Sequence, residues 1–393
     1  MKKRLLIIFV IMFSVLFFAP TTQTHVYASE NIESELSENV SGQIDEINFD
    51  DINNLLDEDS SKLFDGMNFK EFVSAVISNN YSISASNVVE FLIVNLKNAV
   101  IKYIPLIFII LVVILLGSLI GNIKPEVSSS STQNVVHFIV ISVVIILVVV
   151  ALKNAIEITA SSITKMQKQM NAIFPIMLTL LASMGGVVSA TVYQPIVYLI
   201  SSVISNIFSY LLYPVVISLL VFACVGRLSD NIKLTKLRDF LSSSYKWIIG
   251  TIFTIFMTFL SIKGFTAGGS DGMSIRLAKY SIKNYVPVLG GYISEGFEVV
   301  KAGSMLIKNA TGFGGIVLLI ITLLIPLVTL VCLKLLLKLI AGILEPVADG
   351  KYIGFLCDAE KCITLLISTL IGVALMYFLS IMIIIFSANG LVM

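Results

Sequence analysis

Three ionisable residues inside an otherwise apolar stretch are the first candidates for chemistry. Glu295, Glu298 and Lys301 follow one another at three-residue intervals, so on a helix they share one face. Ionisable groups at membrane depth cost free energy, and they often line a route for ions or polar solutes. A second interpretation stays open, in which Val286–Leu306 lies at the membrane interface, where such residues are routine.

The elements that must position these residues are marked by prolines and paired glycines, which we treat as candidate gating positions. The positions concerned are Pro175, Gly185, Gly186, Pro287, Gly290 and Gly291. A constant offset of 112 residues relates Pro175 to Pro287 and Pro214 to Pro326. This spacing predicts two related membrane modules, each opened by a proline-broken segment. The alternative is a chance match of prolines in an apolar chain.

Composition places the chain in a membrane. Apolar residues make up 57% of it and charged residues 13%, with a mean hydropathy of +0.96. Soluble domains average roughly 45–50% and about 25%. We therefore predict an all-α, polytopic helical integral membrane protein.

The N-terminal residues predict export of the region that follows them. Lys2–Arg4, the apolar run Leu5–Phe18 and a small-residue site ending at Ala28 form a secretory signal peptide. An uncleaved anchor is the alternative, although the run is shorter than the ~20 residues that span a bilayer. The acidic stretch at 29–62 is expected to be a disordered or loosely helical tail, and a docking surface for a basic partner is the other possibility.

The remaining chain divides into apolar spans joined by polar links. The predicted parts are a signal peptide (1–28), an exported N-terminal region with amphipathic helices (29–103), two transmembrane spans (104–153), module 1 (160–266) and module 2 (271–388). The expected full spans are Ile104–Ile120, Val135–Leu152, Pro195–Val225, Trp247–Phe265, Gly315–Ile343 and Ile363–Phe386.

Charge selects between two topologies. If Ile173–Ala190 and Val286–Leu306 enter and leave on one side, both polar links, the basic one at 226–246 and the one at 345–361, fall inside. This arrangement has six full spans and two broken or interfacial segments, and we prefer it. Its weakness is that it leaves several basic residues outside: Lys165, Lys168, Arg276, Lys279 and Lys283.

Enzyme chemistry finds no support in the sequence. There is no Walker A, HExxH, GxSxG or kinase pattern, and His137 is the one histidine after the signal peptide. A single histidine near a span end is more often a packing residue than a ligand. Cys357 and Cys362 have no nearby histidine, so we interpret them as structural. We expect no cofactor, no metal site and no enzymatic activity.

Several short segments together resemble the stage III sporulation protein AE family of endospore-forming bacteria. They are Phe174–Gly186, Tyr193–Pro195, Asp271–Lys279, Val286–Gly291 and Leu306–Gly312. Lys263 stands where an uncharged residue is expected before Gly264, a small departure. The resemblance covers the chain from the signal peptide to Gly390.

The resemblance implies a membrane component of the channel or secretion complex between mother cell and forespore. Such a protein lies in the mother-cell membrane around the engulfed forespore. The implied partners are the other stage III sporulation A proteins, including an ATPase and ring-forming proteins, and indirectly stage II sporulation protein Q. Membrane lipid is a further partner and nucleic acid is not. Two functions stay open: a subunit that forms or lines the transport path, and a non-conducting platform that anchors the rings and the ATPase.

Overall fold

The computed structural model describes residues 30–56, 64–78, 81, 85–121, 130–228, 234–285 and 290–389. These ranges contain helices and no strand. The α-helices are α1 (Glu30–Glu46), α2 (Asp50–Asn53), α3 (Phe69–Ile77), α4 (Ala85–Gly121), α5 (Ser130–Ser183), α6 (Val187–Ile207), α7 (Tyr213–Leu228), α8 (Thr235–Tyr285), α9 (Gly290–Leu344) and α10 (Gly350–Asn389). A π-helical turn, Phe208–Leu212, joins α6 to α7.

Within the described ranges, six helices are long and apolar enough to cross a membrane. Their candidate spans are Val88–Ile120, Val135–Ser183, Tyr210–Leu228, Thr235–Leu260, Gly296–Leu344 and Gly350–Ser387. Each of the six expected spans overlaps one of them in the same order. The chain is therefore an all-α, multi-pass membrane protein, as its composition predicted.

The long helices extend well beyond a bilayer. α5 has 54 residues and α9 has 55, so each is about 80 Å long against a hydrocarbon core of ~30 Å. In α5 the most apolar part, Val135–Leu152, lies near the start, and in α9 the apolar part, Gly315–Ile343, lies near the end. The two helices pack antiparallel, in a register that places most of the apolar part of α9 beside the residues of α5 that follow Leu152.

Side-chain contacts establish that packing. Ser183 of α5 meets Ser304 of α9, and Gln169 meets Thr322, so the residue number rises in one helix as it falls in the other. The pair α9 and α10 is antiparallel by the same criterion. Lys308 contacts Ile384 and Lys334 contacts Glu360.

One end of the bundle is covered by the N-terminal helices, and we call it the capped end. Phe64, Phe69 and Phe72 are fully buried there, and the ring of Phe72 stacks on Phe313 of α9 with 6.2 Å between centroids. α3 begins with a capping box between Asn68 and Glu71.

Of the two expectations for the acidic N-terminal stretch, a disordered or a loosely helical tail, the described part is helical and partly packed. Residues 30–46 form α1, and Val40 and Ile44 are buried against the bundle. These residues are four apart and therefore form an apolar stripe on one side of an otherwise acidic helix. The predicted signal peptide, 1–28, and residues 57–62 of the acidic stretch lie outside the described residues.

The expected helix break at Pro175 is wrong. α5 continues through Pro175 to Ser183, and the Thr179 hydroxyl donates a hydrogen bond of 2.9 Å to the Pro175 carbonyl. A proline removes one backbone donor, but close packing with neighbouring helices can hold the remaining turns in place. The module boundaries at 153–160 and 266–271 stay a prediction, and the residues concerned lie within the helices α5 and α8.

The two predicted modules stay a prediction, because their paired prolines have different surroundings. Pro214 lies at the start of α7, directly after the π-helical turn, whereas Pro326 lies inside the uninterrupted helix α9. A π-helical turn is a common accommodation next to a helix-breaking residue. α9 passes through Pro326 without such a turn.

Candidate functional site

The helix α9 is the centre of the bundle because its glycines let other elements approach its backbone. A Cβ added at Gly312 would lie 2.6 Å from Ile385 of α10, and one at Gly314 would lie 2.9 Å from the Phe69 ring. At Gly303 it would lie 3.1 Å from the Asn39 amide oxygen of α1. Small residues at membrane helix contacts act in this way. α9 is therefore enclosed by neighbouring elements on more than one side.

Polar side chains occupy this enclosed surface of α9, and we call them and their partners the polar seam. The seam comprises Lys301, Ser304, Lys308, Thr311 and Thr322 of α9, with Gln43 of α1 and Gln169 and Ser183 of α5. The first four α9 residues are spaced by three or four, which places them on one helix face. All five α9 members are buried.

At the capped end, α1 covers the seam through amide and hydroxyl groups. The Ser304 hydroxyl donates to Gln43 Oε1 at 2.8 Å, and the Ser183 hydroxyl donates to Ser304 Oγ at 3.0 Å. Gln43 Nε2 donates to the Val300 carbonyl at 3.3 Å. The contact is largely polar and contains no ion pair among these residues. α1 therefore closes this end with hydrogen bonds of modest individual strength.

Lys308 lies at the middle of the seam and is fully buried. Its Nζ donates to the backbone carbonyls of Ile384 and Ile385 at 3.2 and 3.0 Å. No carboxylate in the described part of the chain forms a salt bridge with it. An ammonium group that is buried without a counter-charge is costly, and membrane proteins keep such groups mainly where function requires them.

Two further seam groups keep unused hydrogen-bonding capacity. Gln169 Nε2 donates to the Thr322 hydroxyl at 2.7 Å, but Gln169 Oε1 makes no hydrogen bond within the described ranges. The Thr311 hydroxyl also has no hydrogen-bond partner there. Such atoms cost roughly 1–3 kcal/mol each when buried. Beyond Thr322, towards the other end of α9, the enclosed face becomes apolar at Leu330, Leu333 and Leu337.

The opposite end of the bundle carries a second polar group, the charge cluster, formed by Arg227, Arg238, Lys334, Asp358, Glu360 and Lys361. Asp358 is only 3% exposed. Its Oδ2 accepts from Arg227 Nη2 at 3.0 Å and from Arg238 Nη1, and its Oδ1 faces Lys361 Nζ at 3.4 Å. The cluster ties the end of α7 and the start of α8 to α10. We call this end the charged end.

The structure separates the three ionisable residues chosen from the sequence. Lys301 is 6% exposed and belongs to the polar seam, whereas Glu298 is exposed and lies outside it. Glu295 lies in α9, but its side chain is outside the described residues. The predicted role of the two glutamates in a transport path therefore stays a prediction.

The glycines and prolines that we treated as candidate gating positions also lie in different parts of the fold. Gly185 has a φ of +90°, which ends α5 in a tight turn. Gly186 follows and leads into α6. A side chain is disfavoured at Gly186, because a Cβ there would lie 2.8 Å from the Leu181 carbonyl oxygen. Gly290 and Gly291 are the first residues of α9. Pro287 lies outside the described residues.

Sequence reasoning missed the two best-defined groups, Lys308 and Asp358. Lys308 follows Lys301 by seven residues, two helical turns, and this spacing was available as a signal. Asp358 was assigned to a polar link, although it lies inside α10. Nothing local indicates that Arg227, 131 positions earlier, is its partner.

Comparison with known proteins identifies the family. A family profile described as "Stage III sporulation protein AE" matches residues 67–388, which is most of the chain. The chain belongs to the stage III sporulation protein AE family. A family member from Bacillus subtilis (strain 168), named "Stage III sporulation protein AE", is 28% identical over 284 residues, 72% of this chain and 70% of the relative.

Family membership implies a role in sporulation, and the matched region includes nearly all of both polar groups. The polar seam lies within residues 67–388 except for Gln43, and the charge cluster lies within it completely. No solved structure matches the chain.

Proposed function

We propose that this protein is a membrane component of the mother cell-to-forespore channel complex, and that its polar seam forms or lines part of the transport path. The observation that carries the proposal is Lys308, a fully buried lysine whose Nζ donates to two backbone carbonyls and to no carboxylate of the described residues. A group of this kind is unfavourable for packing alone, but it suits a route for polar or anionic solutes.

The charge distribution supports one orientation in the mother-cell membrane. The charged end carries an excess of basic residues, whereas the exposed residues of α1 at the capped end include Glu38, Asp45 and Glu46. Under the positive-inside rule, the charged end faces the mother-cell cytoplasm. The capped end, with the N-terminal region, then faces the space between the two membranes.

This orientation assigns the partners to opposite ends. The ATPase of the stage III sporulation A complex would meet the charged end, and the ring-forming proteins would meet the capped end. Stage II sporulation protein Q would be reached indirectly through the rings. The protein itself would be non-enzymatic and without a cofactor, so the energy for transport comes from the ATPase.

A second candidate function, a non-conducting platform, is favoured by the capped end. The aromatic cluster around Phe69 and Phe72 fixes the N-terminal helices onto α9 at Phe313 and Gly314. A rigid layer of this kind suits attachment of ring proteins without any conduction through the bundle.

Substitution of the buried lysine separates the two functions. We expect Lys308→Gln to abolish heat-resistant spores and late forespore reporter activity, while the protein level and co-purification of ring proteins stay normal. Lys338→Gln is the matched control, because Lys338 is an exposed lysine of the same helix. Normal sporulation of Lys308→Gln would support the platform. The double variant Glu295→Gln and Glu298→Gln tests the predicted carboxylate role in the same assays.

A further inference from the structure

The start of α8 presents a face that combines lysine with large apolar side chains, and we call it the α8 outer face. Leu237, Phe240 and Trp247 are 44%, 64% and 71% exposed, and Lys236 and Lys246 are exposed beside them. Lys236, Phe240 and Trp247 are separated by four and seven residues, so they form one stripe. No described helix covers this stripe.

Contacts with α10 show the level of this face in the membrane. α8 runs parallel to α10, since Arg238 meets Asp358 and the Tyr245 hydroxyl lies 2.5 Å from the Thr369 hydroxyl. The apolar run of α10 begins at Ile363, between these two levels. The α8 outer face therefore crosses the boundary between the polar start and the apolar remainder of the bundle.

The mixture of groups identifies what covers the face. Water would leave two rings and a leucine exposed, and the hydrocarbon core would bury two ammonium groups. The headgroup layer accommodates both, because aromatic rings settle at this depth and lysines extend to lipid phosphates. Asp239 is exposed on the same turn, so the face carries one net positive charge.

We propose that the α8 outer face is an interfacial anchor that binds anionic phospholipid headgroups at the charged end of the bundle. The lipid phosphates pair with Lys236 and Lys246, while Phe240 and Trp247 lie among the glycerol and upper acyl segments. The anchor holds α8 at a set depth, and α8 carries Arg238, which binds Asp358. This role does not depend on whether the polar seam conducts.

The single tryptophan of the chain makes the anchor directly measurable. The full-length protein is reconstituted in vesicles that contain brominated phosphatidylglycerol or brominated phosphatidylcholine, and quenching of Trp247 fluorescence is recorded. We expect bromines near the glycerol to quench more than bromines near the chain end. We also expect phosphatidylglycerol to quench more than phosphatidylcholine, in keeping with an enrichment of about twofold to fivefold near the lysines.

Paired variants test whether the charges of Lys236 and Lys246 cause the lipid preference. Lys236→Gln with Lys246→Gln should remove the preference for phosphatidylglycerol and leave the depth profile, whereas Lys236→Arg with Lys246→Arg should keep both. These residues are exposed, so folding is unaffected. Strong quenching by aqueous acrylamide, or by bromines near the chain end, would overturn the interfacial position. Equal quenching by the two lipids in the unchanged protein would overturn the anionic preference.

Discussion

The polar seam and the charge cluster bury charge at two levels of the bundle in opposite ways. Lys308 meets two backbone carbonyls and no carboxylate within the described ranges, whereas Asp358 meets two arginines and a lysine. Buried ion pairs with good geometry offset much of the cost of desolvation, and an isolated buried ion does not. The comparison indicates that the charge cluster holds helices together. The polar seam is polar for a reason other than stability.

The largest expected effect breaks the charge cluster. Asp358→Asn leaves Arg227 and Arg238 half-buried without their counter-charge, and we expect the free energy of unfolding to fall by about 3 kcal/mol. Chemical unfolding in detergent micelles measures the change. Glu345→Gln, an exposed acid at the same end, is the control and should have no effect. An unchanged stability of Asp358→Asn would contradict the role of the cluster as a clamp.

A smaller effect on stability is expected in the seam. Lys308→Met removes a buried amine, costly to desolvate, together with its two hydrogen bonds, so we expect the free energy of unfolding to change by less than about 1 kcal/mol. The same unfolding measurement applies, with sporulation as a second readout. A loss as large as that of Asp358→Asn would show that Lys308 holds α9 to α10, and the contrast between the two groups would disappear.

A third effect, far below that of Asp358→Asn, concerns an uncharged contact at the charged end. Tyr245 is 1% exposed and its hydroxyl lies 2.5 Å from the Thr369 hydroxyl. Tyr245→Phe should lower the free energy of unfolding by about 1 kcal/mol, because one neutral hydrogen bond is lost. Tyr210→Phe is the control, since Tyr210 is 81% exposed. An effect equal to that of Asp358→Asn would show that uncharged contacts hold α8 as firmly as the arginines do.

Local patterns in the sequence were sufficient to predict the number and the order of the candidate membrane spans. Runs such as Val135–Leu152 are long enough to cross hydrocarbon, and this property depends only on consecutive residues. The prediction at Pro175 was wrong because a proline's effect depends on what packs around it. α5 ends instead at the paired glycines, where Gly185 has a positive φ.

The sequence by itself determined a membrane-spanning, all-helical chain of the stage III sporulation protein AE family, since hydropathy and family motifs are read along the chain. Tertiary structure alone decided which polar residues are enclosed. Lys301 and Glu298 are one helical turn apart, yet one is buried and the other exposed. Asp358 meets Arg227 only because antiparallel packing brings α7 beside α10. Burial and charge pairing depend on neighbours that lie distant in sequence, and those neighbours are set by the packing of whole helices.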